Sequence, residues 1–153
     1  MQDANYKMMK TNKQLIGIDL FAGAGGLSLG AEMAGISMRY AVEADAYAAA
    51  SYKRNFKNAT VSADKLNTQP VFIIMGGPPC QGFSLSNTKT RDMSNPNNRM
   101  FEEFLRFVDK IAPTWFVFEN VYGLTKFKNG EENIQNHIEN RYRDIGYTVK
   151  SKI

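Results

Sequence analysis

Apolar and polar positions along this chain alternate between two rhythms. Short continuous apolar runs, the pattern of strands buried on both faces, occur at Leu15–Phe21, Met38–Val42, Ala59–Ser62, Val71–Met75 and Trp115–Phe118. Helix-like stretches separate them. Leu27–Ala34 ends at Gly35, and Ala46–Phe56 is rich in alanine. Phe101, Phe104, Leu105, Val108 and Ile111 recur at helical spacing, with Glu102, Glu103, Arg106 and Asp109 on the other side and Pro113 beyond. Ile134, Ile138, Tyr142 and Ile145 mark a further amphipathic helix stopped by Gly146, and Tyr147–Ile153 reads as a sixth strand. This alternation predicts an α/β fold: a mostly parallel, twisted sheet with helices on both faces. Residues 1–13 are polar and predict a flexible leader, leaving 14–153 as one domain. Leu85–Asn98, rich in Ser, Thr, Asn and Asp, predicts a long mobile loop.

The chemically capable residues fall where strands end. Gly23, Gly25 and Gly26 follow the first strand, Glu43 the second, Asp64 the third, Cys80 the fourth and Glu119 the fifth. In an open parallel sheet those ends share one edge, where ligands bind. Residues distant in sequence are therefore expected on one rim.

Composition narrows the classes. With 153 residues, 43% of them hydrophobic, the chain is one soluble globular domain or part of one. No apolar stretch reaches membrane-spanning length, and the start lacks the apolar segment of a signal peptide. The single cysteine excludes an internal disulfide and predicts a reducing, cytoplasmic location. One Cys and one His cannot assemble a nitrogen–sulfur zinc site, so no metal is expected. The net charge of +4 suits a polyanionic partner such as nucleic acid.

Three segments carry candidate chemistry. "DLFAGAGG" (19–26) runs from a strand into a glycine turn and a helix. Its spacing is not the dinucleotide G-x-G-x-x-G, which disfavours a nicotinamide oxidoreductase. Glu43, ending the next strand, can accept hydrogen bonds from both ribose hydroxyls, and Asp64 can face an adenine amino group, so an adenosine-containing cofactor is expected. "MGGPPCQGFS" (75–84) holds the only cysteine in a stiff polar loop just after an apolar strand, which makes Cys80 a candidate nucleophile. The only histidine, His137, is expected to be exposed on its helix, so a Cys–His protease is a poor fit. "FVFENV" (116–121) sets Glu119 and Asn120 at a strand end, where a partly desolvated carboxyl can hand over a proton near neutrality.

Taken in order, DLFAGAGG, VEAD, SAD, GGPPCQGFS, RMFEEFLRFV and FENVYGL resemble the N-terminal half of the catalytic domain of the DNA cytosine-5 methyltransferases. The resemblance implies a Rossmann-like fold that uses S-adenosylmethionine. It implies Cys80 as the nucleophile on cytosine carbon 6, Glu119 as the proton partner at N3, and Asn120 and Ser84 as orienting residues. Phe21, Gly23, Gly25, Gly26, Leu27, Glu43, Asp64, Pro79 and Met100 match cofactor-pocket positions. DNA with a flipped-out cytosine is the implied substrate. Asp64 is separated from the fourth strand by only Lys65–Pro70, a shorter spacing than the family's. The chain stops near its sixth strand, before the family's Gln-x-Arg-x-Arg segment and recognition domain. The resemblance therefore implies part of an enzyme: one subunit completed by a C-terminal chain, a truncated product, or an inactive remnant acting as an adaptor. A transfer-RNA cytosine-5 methyltransferase is the nearest alternative.

Overall fold

The computed structural model describes residues 14–61, 70–79, 100–121, 128–129 and 132–152. Its elements are β1 (Ile16–Leu20), α1 (Gly26–Met33), β2 (Ser37–Val42), α2 (Ala46–Asn55), β3 (Thr60–Val61), β4 (Ile73–Gly76), α3 (Met100–Ile111), β5 (Trp115–Phe118), β6 (Lys128–Asn129), β7 (Glu132–Asn133) and α4 (Ile134–Asp144). Five strands form one sheet in the order β3-β2-β1-β4-β5, every pairing parallel. The chain winds outward from β1 to β3, then crosses back to β4 on the other side of β1. That reversal makes the crevice above β1 and β4 the topological switch point, the place where open α/β sheets bind ligands.

Both faces are covered, as the continuous apolar runs require. On one face Ile18, Leu20 and Ile74 pack with Phe101, Phe104, Leu105 and Val108 of α3 and Ile138 and Tyr142 of α4. Each such side chain removed from water stabilises the fold by roughly 1.5–3 kcal/mol. On the other face α1 and α2 cover Met38, Ala41, Ile73 and Met75. α2 starts at Asp45, whose carboxylate accepts from the Ala48 N–H at 2.8 Å. Asn133 caps α4 in the same way, accepting from Gln135 N–H at 2.8 Å.

Two expectations change. Tyr147–Lys152 shows the predicted alternation, with Tyr147 and Val149 packed on the core and Thr148 and Lys150 exposed, but it forms no strand. A ladder needs a backbone neighbour, and β5 is separated from this segment by a cleft of about 1050 Å³. His137 is half-buried rather than exposed, edge-on to Phe101 with ring centroids 6.0 Å apart. The short β6–β7 pairing was too brief to register as a period, although Asn129–Gly130 is a hairpin-type dipeptide. The 85–98 loop and the leader lie outside the described residues.

Candidate functional site

The glycine turn leaves β1 at the switch point. Phe21 takes a left-handed φ of 58°, strain of the kind that collects at functional sites. Gly23 and Gly25 follow with φ of 54° and 99°, conformations open to glycine at little cost. Gly25 is the N-cap of α1, and no side chain caps the first helical turn. Among the described residues, a Cβ on Gly23 or Gly26 would meet nothing within 4 Å. Glu43, at the end of β2, accepts from Gly23 N–H through Oε2 at 2.7 Å and from Asp45 N–H through Oε1 at 2.7 Å. Each oxygen keeps a second lone pair for a ligand hydroxyl. Leu27 is half-buried on α1, and Met100 is half-buried at the start of α3.

Beneath the turn lies a cluster that sequence reasoning missed. Asp19 of β1 is fully buried, as is Ser28 of α1. Ser28 Oγ donates to Asp19 Oδ2 at 2.6 Å and lies 2.6 Å from the Tyr52 hydroxyl. Because the Ser28 proton goes to Asp19, the Tyr52 hydroxyl must donate to Ser28. The available signal was a lone acid between Ile18 and Leu20, inside an apolar strand. Burial is the main force pushing the Asp19 carboxyl up from 3.8 to about 6, opposed by the Ser28 bonds and aided by Glu43. Between those values the folded chain holds a proton that the unfolded chain has released. The contribution of Asp19 to stability is therefore full below about pH 3.8 and lost as pH rises through about 6. The loss is about 3 kcal/mol. Urea unfolding should show stability falling from pH 4 to pH 7, and Asp19→Asn should flatten that slope.

The second half of the site joins β4 to β5. Glu119 N–H donates to Gly76 O at 2.9 Å, fixing the two strand ends side by side. The Glu119 carboxylate lies directly over Gly77: a Cβ there would come 2.5 Å from Oε2. Asn120 Nδ2 reaches Pro78 O at 3.4 Å, tying the β5 end to the prolines that precede Cys80. Glu119 is exposed, not partly desolvated as expected, because β5 is the outer strand of the sheet. Pro79, which follows Pro78 in the chain, is half-buried. Cys80, Ser84 and Asp64 lie outside the described residues. Among the described residues no group of His, Cys, Asp and Glu could hold a metal ion, and no helix is long and apolar enough to cross a membrane.

A glycine turn, the Glu43 carboxylate and a Glu–Asn pair beside a proline loop thus share one edge. Residues 15–153 match the family model of C-5 cytosine-specific DNA methylases. The chain belongs to this family. Among its methylase relatives are the Type II methyltransferase M.DdeI of Desulfomicrobium norvegicum, 39% identical over 86% of this chain, and M.XorII of Xanthomonas oryzae pv. oryzae, 42% identical over 88%. A solved DNA modification methyltransferase encoded within an E. coli prophage superposes with a TM-score of 0.68 at 33% identity, over 86% of this chain and 38% of its own. The chain spans 34% of the length of M.DdeI and of M.XorII.

Proposed function

We propose that this chain carries the cofactor- and nucleophile-bearing part of an enzyme that transfers a methyl group from S-adenosylmethionine to carbon 5 of cytosine in DNA. The observation that carries it is the shared edge: a glycine turn pinned to Glu43, and Glu119 lying over Gly77, three residues ahead of Cys80. The room left at Gly23 and Gly26 among the described residues and the spare lone pairs of Glu43 fit a nucleoside cofactor. Phe21, Gly23, Gly25, Gly26, Leu27, Glu43, Asp64, Pro79 and Met100 would hold it. When bound, it supplies an electrophilic methyl group on a sulfonium.

The chain's own residues supply the rest. The Cys80 thiolate adds to carbon 6 of the flipped base, forming the S–C6 bond and pushing electrons toward carbon 5. Glu119 protonates N3 as that charge builds, so the ring is not forced to carry it alone. Once carbon 5 bears the methyl group, its proton leaves to a base and the electron pair expels Cys80. Asn120 and Ser84 orient the loop and the base. The location is the cytoplasm, with the DNA.

A complementing polypeptide, carrying what the relatives have beyond this chain's span, supplies the recognition surface. Its docking place is the side of β5 that pairs with no strand among the described residues, where Trp115 is 60% and Val117 43% exposed. Trp115 N–H bonds to Phe72 O, just before β4, and Glu119 N–H to Gly76 O, so the Phe116 and Phe118 backbone groups face away from β4, on the side of the cleft. Paired with the part of M.DdeI that this chain does not match, the protein is expected to form a one-to-one complex by size exclusion. Val117→Lys should weaken it at least tenfold without lowering the melting temperature, since that side chain is already exposed. Unchanged affinity would remove β5 as the dock.

The functional test is transfer of radiolabelled methyl from S-adenosylmethionine by that complex. DNA, not transfer RNA, is expected to be labelled, and labelling confined to transfer RNA would overturn the reading. Gly77→Ala probes Glu119 in the same assay. The added methyl displaces a flexible carboxylate rather than backbone, so the fold should survive while transfer falls about tenfold or more. A normal rate would show that the placement of Glu119 over Gly77 does not matter.

A further inference from the structure

Asp19 and Ser28 bracket the glycine turn. Between them lie Phe21, Gly23, Gly25, Gly26 and Leu27, the candidate cofactor positions of this segment. The Ser28–Asp19 hydrogen bond closes that interval like a clasp, and Tyr52 of α2 locks it by donating to Ser28. α2 grips the turn twice more. Asn55 Nδ2 donates to Ala24 O at 3.2 Å, and the Phe56 ring occupies the space a Cβ on Gly25 would need. Asp19, Ser28 and Tyr52 are each 0% exposed, so none reaches a ligand in the crevice and each can act only through the turn. Asp19 Oδ1 is buried with no hydrogen-bond partner among the described residues.

We propose that the Asp19–Ser28–Tyr52 chain is a positioning device that sets the glycine turn, and through it the affinity for S-adenosylmethionine, according to whether Asp19 is ionised. The ligand rests on the function proposed above; the clasp itself does not. With Asp19 ionised, the Ser28 bond is charge-assisted and holds Phe21 in its strained φ of 58°. An arriving proton takes the free Oδ1. Ser28 still donates to Oδ2, but to a neutral acid, and the clasp weakens. The groups facing this chain are all acids: Tyr52 from α2, Glu43 from the end of β2, and Glu32 of α1 facing Tyr52. β4 contributes none. No cation among these partners holds Asp19 ionised, and the burial of the carboxyl brings its titration to about 6, close to working pH.

The test is calorimetric titration of the full chain with S-adenosylmethionine from pH 5 to 8, alongside hydrogen exchange at the Ala22, Gly23 and Gly25 amides. On acidification from pH 7.5 to 5, the dissociation constant should rise roughly fivefold, the difference between a charged and a neutral hydrogen bond. The loop amides should lose protection over the same range, beyond the change in intrinsic exchange. Asp19→Asn should bind weakly at every pH and show no step, while melting no lower than the parent at pH 7.5. Ser28→Ala, which leaves the charge in place, should weaken binding throughout. An Asp19→Asn chain that keeps the parental step would overturn the proposal. So would parallel losses of stability and affinity with an unchanged profile. If no pH gives binding, the functional reading fails instead. The amide-exchange step then still decides: its loss in Asp19→Asn supports the clasp, and its persistence refutes it.

Discussion

Cys80→Ala is expected to abolish methyl transfer by the complemented protein, with a loss of roughly 10⁴-fold or more, the scale seen when a covalent nucleophile is removed. Carbon 5 of cytosine is a poor nucleophile until a soft anion adds at carbon 6, and no other residue of this chain can supply one, because Cys80 is its only cysteine. That uniqueness simplifies the measurement. With DNA carrying 5-fluorocytosine, the proton that must leave carbon 5 is replaced by fluorine, elimination cannot occur, and the adduct survives denaturing electrophoresis. The parent should give the shifted band and Cys80→Ala should not. Cofactor binding should stay within about twofold, because the residues proposed to hold the cofactor lie mostly at the ends of β1 and β2 and on α1. Glu119→Gln should give the milder defect of a lost proton partner, about 10²–10⁴-fold. An adduct formed by Cys80→Ala would end the assignment.

How much of this was legible in the chain depended on how local each signal was. The strands β1, β2, β4 and β5 stood out because their apolar runs are continuous, as strands covered on both faces must be. The shared rim followed from parallel topology, which places Gly23, Glu43 and Glu119 together though they span nearly a hundred positions. Asp19 was not legible. An acid inside an apolar run says only that something must compensate it, and the compensating Ser28 and Tyr52 come from two other elements. The exposure of Glu119 and the missing sixth strand share a cause. Both depend on what lies beyond β5, and side-chain alternation at Tyr147–Lys152 reports a face without naming a neighbour. The positive φ of Phe21 has no sequence signature either, since it is imposed by its surroundings on a residue that avoids it.

The neighbouring glycines at the end of β4 give the sharpest structural contrast. Gly76→Ala is expected to destabilise the chain by about 3 kcal/mol or more, a large share of the 5–15 kcal/mol that holds a typical domain together. A Cβ at Gly76 would collide with the Leu20 carbonyl oxygen of β1 and press within 3.0 Å of the Phe104 ring. Backbone on the adjoining central strand cannot swing aside as a side-chain tip can. Separating the strands would strain the β1–β4 pairing, in which Leu20 and Gly76 are in register. It would also shift the glycine turn that leaves β1 and the Glu119 amide that donates to Gly76 O. One methyl group therefore perturbs both halves of the site through the sheet. By circular dichroism, the melting temperature should fall by roughly 10 °C, or the chain should be recovered only as aggregate. Gly77→Ala, one residue on, comes too close only to the flexible end of Glu119, with the Glu119 backbone oxygen at an ordinary 3.7 Å, and should melt within about 3 °C of the parent. If both variants melt alike near the parental temperature, the close approach of β1 and β4 is not what holds the two loops in place.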